Sequence, residues 1–163
     1  MISKKMAKEI NAQINREFFS AFLYLAMAND ALDKGFAGTH KWMSIQFKEE
    51  QEHALKFSKY LQDQGEKVLL GAMDAPKTEW KDILDMFKDA LLHEKKVTAW
   101  INDLNTLAIA EKDYATQSML KWFIDEQVEE EAQCVEAISA LSMVGASAGS
   151  LYMVDRHLGK RGE

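Results

Sequence analysis

The sequence predicts an all-α fold: a four-helix bundle with one long crossover between its second and third helices, plus a short fifth helix at the C-terminus. Three observations carry this. Helix breakers are few, with one Pro and eight Gly in 163 residues, and most stand in clusters with long uninterrupted stretches between them. Those stretches are rich in Ala, Leu, Met, Glu, Lys and Gln, which favour helix, and poor in the β-branched residues that favour strands. Within them apolar residues recur every three or four positions, the spacing of one helical face.

Taken in order, Gly35 and Gly38 end the first stretch, giving helix A at 4–33 with Ser3 placed to cap it. Helix B follows at 39–64, and Gly65 stands where a left-handed residue would close it. Helix C covers 80–110, helix D 113–144, and a short helix E 148–159. The A–B and C–D connections are only a few residues, which makes each pair antiparallel. The segment 65–79 holds Gly65, Gly71 and Pro76 and shows little periodicity. Extended, it reaches about 50 Å, whereas helix B is about 39 Å long. The chain can therefore run back along the whole bundle and leave C parallel to B. One domain spans 1–163, with the bundle at about 4–144.

Composition removes several functions. Net charge is −6, which disfavours a nucleic-acid binder that works by neutralising phosphates and favours cations as partners. The longest apolar run, Ala21–Ala28, is far short of the ~20 residues a bilayer requires. It is flanked by Glu9 and Glu17 rather than by the basic residues of a secretory signal. The single cysteine, Cys134, precludes an intrachain disulfide or a four-thiolate cluster. The expectation is a cytoplasmic protein with no membrane and no nucleic-acid partner.

The chemical signal lies in the stripes. Helix A reads Ile10, Ile14, Glu17, Ala21, Tyr24, Ala28, and helix B reads Met43, Phe47, Glu50, Ala54, Phe57, Leu61, with His53 beside it. Helix C reads Phe87, Leu91, Glu94, Thr98, Ile101, and helix D reads Leu120, Phe123, Gln127, Glu130, Cys134, Ala137, Leu141. Each long helix places one glutamate within an apolar stripe, close to its midpoint. Antiparallel packing then brings Glu17, Glu50, Glu94 and Glu130 to one level, to within about 3 Å of axial rise. Four buried like charges without hydration repel one another. A multivalent cation relieves this, with carboxylates as hard ligands and the His53 imidazole as a further donor. A purely polar layer that fixes bundle register, with no metal, is the competing reading. Ligand symmetry is broken, since Gln127 stands where a second Glu-x-x-His pair would place its first residue. One metal would take Glu17, Glu50 and His53, and a looser second one Glu94 and Glu130, with Glu50 as the bridge. Gln127 would then steady a ligand carboxylate or a bound oxygen species.

Over essentially its whole length the chain resembles the microbial non-haem ferritins. The resemblance is carried by Asn-Arg-Glu-Phe-Phe-Ser-Ala-Phe-Leu-Tyr at 15–24, Phe-Lys-Glu-Glu-Gln-Glu-His-Ala at 47–54, Leu-Leu-His-Glu at 91–94 and Trp-Phe-Ile-Asp-Glu-Gln-Val-Glu-Glu-Glu at 122–131. It implies a ferritin-like fold, a shell of 24 subunits, oxidation of ferrous iron by O2 or H2O2, and storage of the product as a ferric oxide mineral. The ferroxidase ligands carried over are Glu17, Glu50, His53, Glu94 and Glu130, with Gln127 nearby. Tyr24 matches the tyrosine beside the centre, a hydrogen-bond donor to a ligand and an electron donor. A third iron site, toward the shell interior, corresponds to Glu49, Glu126 and Glu129, sharing Glu130; a solvated acidic face is the bland reading of that cluster. Glu52 stands where haem-carrying relatives have a methionine, so no haem is expected. Gln117 and Leu120 replace the acids that line entry channels in animal ferritins. Helix E is expected to support assembly. Two readings compete with storage: a di-iron carboxylate redox enzyme that stores nothing, and a metal-free helical interaction protein.

Overall fold

The computed structural model describes residues 2–162; Met1 and Glu163 lie outside the described residues. It contains five helices, α1 (Lys4–Asp33), α2 (Ala37–Asp63), α3 (Ile83–Glu111), α4 (Tyr114–Val144) and α5 (Ala148–Leu158). The order and lengths match the periodicity, and two boundaries differ by more than one residue. Trp80 and Lys81 precede α3 because the Asp82 side chain accepts from the Asp85 N–H at 2.8 Å and sets the cap there. Gly38 lies inside α2 rather than before it. A Cβ at this position would stand 1.7 Å from the Asp155 carbonyl oxygen of α5. The glycine therefore serves close helix approach, not termination.

Ser3 caps α1 by accepting from the Met6 N–H at 3.0 Å, and Gly65 closes α2 at φ +76°. Helix α2 has no cap of its own. Asp155 supplies one from α5, accepting from the Gly38 N–H at 2.9 Å, the Thr39 N–H at 2.7 Å and the Thr39 hydroxyl at 2.8 Å. The fifth helix is thereby fastened to the start of the second.

The crossover is pinned along α1. The Asn11 amide donates to the Lys67 carbonyl at 3.1 Å while its oxygen accepts from the Leu69 N–H at 2.6 Å. Asn15 repeats the pattern one turn on, with the Leu69 carbonyl at 3.1 Å and the Gly71 N–H at 2.8 Å. Asp30 then accepts from the Trp80 N–H at 3.2 Å. The anchors advance from residue 11 to residue 30, so the crossover follows the direction of α1 and α3 starts at the far end, parallel to α2.

Two hydrophobic clusters fill the bundle. One joins Tyr24, Met27, Met43, Met86, Phe87, Cys134 and Leu141; the other joins Ile10, Ile14, Phe57, Leu61, Ile101, Leu120 and Phe123. On every long helix the break between them falls at the mid-helix glutamate.

Candidate metal centre

Glu17, Glu50, Glu94 and Glu130 are each exposed by 1% or less. They form a polar layer between the two apolar clusters, as the stripes require. One ligand atom from each of Glu17, Glu50 and His53 lies within 4.8 Å of the other two. His53 Nδ1 stands 3.6 Å from Glu50 Oε2. The imidazole is buried, with its ring packed edge-on against Trp122 and Phe123 at 5.5 and 5.9 Å. Phe123 in turn stacks on Phe57 at 3.9 Å, which closes the layer from one side.

Neutral donors orient the acids. The Gln13 amide donates to Glu17 Oε1 at 2.7 Å. The Gln127 amide donates to Glu94 Oε2 at 3.1 Å, and the Tyr24 hydroxyl donates to Glu94 Oε1. The Gln46 amide donates to Glu130 Oε2. These contacts fix direction without cancelling charge. Two buried carboxylate oxygens, Glu17 Oε2 and Glu50 Oε2, have no hydrogen-bond partner among the described residues. Such atoms are costly unless something else occupies their lone pairs. They belong to the same triad as His53, and a metal ion fits that donor set.

Burial dominates the acid–base properties. It pushes the Glu17 carboxyl up to about 8, helped by the neighbouring Glu50 charge. Glu50 lies well above the ordinary carboxylate range, from burial and then from Glu94 and Glu130. Glu94 and Glu130 are raised for the same first reason. Near neutral pH the free layer therefore holds protons, which a metal has to displace. Burial also raises Tyr24 well above the usual phenol range and keeps Cys134 a thiol.

The acids matched to a third site are distributed unevenly. Glu126 and Glu130 each offer an atom within 4.8 Å of His53 and of one another. Glu129 is exposed on α4. Glu49 is half-buried and held by the Arg161 guanidinium at 2.6 Å. Burial raises its carboxyl, and Arg161 opposes that shift. The other buried histidine, His93, is 2.7 Å from the Ser20 hydroxyl, and burial lowers it to about 4. His40 Nδ1 lies 2.9 Å from the Ala28 carbonyl oxygen.

Sequence reasoning missed three participants. Gln13 stands one helical turn before Glu17, the ligand it donates to, a spacing that offered a signal, whereas Gln46 donates to Glu130, 84 residues away. Arg161 offered none, because its partners lie more than a hundred residues away. In the stripe of α2, Phe47 is half-buried and Gln46 is fully buried in its stead. In α3, Leu91 and Thr98 are likewise half-buried, while Val97 takes the core position.

Among known proteins, the Ferritin-like domain family matches residues 7–144. A bacterial non-heme ferritin of Staphylococcus saprophyticus is 41% identical over 161 residues, covering 99% of this chain and 96% of its own. One from Staphylococcus haemolyticus is 40% identical over 99% of this chain and 97% of its own. Among solved structures, an open pore ferritin from the archaeon Archaeoglobus fulgidus superposes with a TM-score of 0.97 at 38% identity, covering 99% of both chains.

Proposed function

Because the chain belongs to the ferritin family, whose members supply the premise that iron is its cargo, we propose that its buried layer is a ferroxidase centre. Iron storage is the function of the protein. The finer reading is that ferrous iron is oxidised within each subunit before storage.

The observation that supports this most is the pair of unpartnered oxygens on Glu17 and Glu50 next to His53. Glu17, Glu50 and His53 hold one ferrous ion, and Glu94 and Glu130 hold a second, with Glu50 shared. Two one-electron donors kept side by side deliver two electrons to one oxidant. Dioxygen would leave as hydrogen peroxide after taking up two protons, and hydrogen peroxide would leave as two waters after taking up two. The anionic ligands stabilise the ferric product over the ferrous substrate, which drives the transfer. Gln13, Gln46, Gln127 and Tyr24 hold the carboxylates in place, so little reorganisation accompanies the charge change. The apolar clusters above and below exclude water from the layer.

The same reading includes a 24-subunit shell and a third iron position at Glu49, Glu126 and Glu129, sharing Glu130. Among the described residues no helix is long and apolar enough to cross a membrane.

The test is aerobic addition of ferrous iron to metal-free protein, followed by size exclusion with an iron assay. Fast oxidation, with iron far in excess of three per chain eluting in a particle of several hundred kilodaltons, supports the proposal. Iron that stops at two per chain on a small oligomer supports a di-iron enzyme that does not store. No iron uptake supports a metal-free helical scaffold.

A further inference from the structure

After α5 the chain does not leave the bundle. Asp155 of α5 meets Gly38 and Thr39 of α2, and after the turn at Gly159 the chain continues along α2, where Arg161 meets Trp42, Gln46 and Glu49. Residues 38, 42, 46 and 49 follow the three-and-four spacing of one helical face, so the tail docks along a single stripe. Gly162, at φ +81°, lies against Ile45 on the same helix.

The Arg161 fork makes three contacts. One nitrogen donates to Gln46 Oε1 at 2.6 Å and another to Glu49 Oε2 at 2.6 Å. The guanidinium carbon stands 4.3 Å over the Trp42 ring. An arginine can only donate, so the Gln46 oxygen has to face it and the Gln46 amide nitrogen has to face away. That nitrogen donates to Glu130. The tail thus sets the polarity of the amide that grips a ligand of the metal centre. It also supplies a positive charge beside Glu49, on the side where Glu126 and Glu130 gather.

We propose that Arg161 is a positioning residue that acts as a displaceable counter-cation, holding Glu49 and orienting Gln46 toward Glu130 until a divalent metal takes Glu49. Metal at Glu49 and guanidinium at Glu49 then compete, because two cations at one carboxylate repel each other and the guanidinium already holds Oε2. Occupation of the third position would release the tail from α2. This inference rests on the layer being a metal centre, as proposed above, and adds a regulator supplied by the segment that follows α5.

The experiment titrates metal-free protein with zinc, which is redox-silent, by calorimetry. It also follows trypsin cleavage after Lys160 and Arg161 by intact mass. The expected result is two tight zinc ions and one weaker ion per chain, with tail cleavage rising only as the weaker ion binds. Arg161→Gln should tighten the weaker class roughly tenfold, about the size of one charge-assisted contact, weaken the second, Glu130-held ion several-fold through the freed Gln46 amide, and leave the first ion, on Glu17, Glu50 and His53, within about threefold. Arg161→Lys, which keeps the charge but loses the fork, should fall between the two. Glu49→Gln should abolish the weaker class and the rise in cleavage, which separates the inference from any loss of folding in the arginine variants. A weaker class equal in wild type and Arg161→Gln, or cleavage indifferent to zinc, overturns the role of Arg161 alone. Absence of the two tight ions in wild type overturns the metal centre beneath it.

Discussion

The Tyr24 hydroxyl on α1 donates to Glu94 Oε1 on α3, while the Gln127 amide on α4 donates to Glu94 Oε2 at 3.1 Å. Three helices thus converge on one carboxylate that has no charged donor among the described residues. Replacing Tyr24 with Phe removes one of the two donors and leaves the ring volume in the upper cluster. Binding of the second, Glu94-held metal should weaken by about 10-fold or more, in the range found when a residue supporting a ligand is lost. The first metal should be unaffected. Stepwise zinc calorimetry separates the two. Equal weakening at both positions would mean that Tyr24 does not act through Glu94.

Glu17→Gln should move stability and function in opposite directions. The new amide nitrogen can donate toward Glu50 Oε2, which now lacks a partner, and its oxygen can still accept from Gln13. The metal-free protein at pH 8 should gain about 1–3 kcal/mol, seen as a rise of several degrees in Tm. The same variant should lose the first zinc ion. A fall in Tm without metal would show that the glutamate serves packing rather than ligation.

Stability of the metal-free protein should fall as pH rises. Glu17 has a folded value of about 8 against an ordinary 4.5, so the folded chain binds more protons than the unfolded one between those values. Stability from such a raised group is complete below 4.5 and is lost as pH passes 8. Glu50, Glu94 and Glu130 shift in the same direction. His93 runs the other way. Its value is lowered to about 4, so its share is lost as pH falls from 6.5. The decline is therefore clearest between pH 6.5 and 8. Calorimetric Tm should drop across that window without metal and stay nearly flat with saturating zinc. Zinc binding should release more protons at pH 6.5 than at pH 9.

Gly38→Ala tests how the tail is held. Its Cβ would lie 1.7 Å from the Asp155 carbonyl oxygen, so α5 has to shift and the cap on α2 is lost. Overpacking of this kind costs about 1–3 kcal/mol. Tryptic cleavage after Arg156 and Lys160 should become faster, while the two tight zinc ions remain. Unchanged cleavage would mean that the close approach does not anchor the tail.

Much of this was legible in the residues. Helical period 3.6 placed Glu17, Glu50, Glu94 and Glu130 on apolar stripes, and the short A–B and C–D turns brought them level, because those signals are local. Gly38 was misread because the sequence marks a glycine without saying whether it breaks a helix or makes room for another. The start of α3 was set too early because Trp80 and Lys81 suit a helix, while the Asp82 cap and the Asp30 contact to Trp80 decide otherwise. Gln46 and Arg161 stayed hidden because their partners are distant in sequence. Which neighbour takes a buried position, Gln46 or the more apolar Phe47, is settled by what lies across the bundle.

Anomalous diffraction at the iron edge, from crystals soaked anaerobically in ferrous salt, addresses the central claim most directly. The account predicts two peaks per chain inside the bundle, one touching Glu17, Glu50 and His53 and the other touching Glu50, Glu94 and Glu130. A layer with no peak, or iron found only at exposed acids such as Glu129, would contradict it.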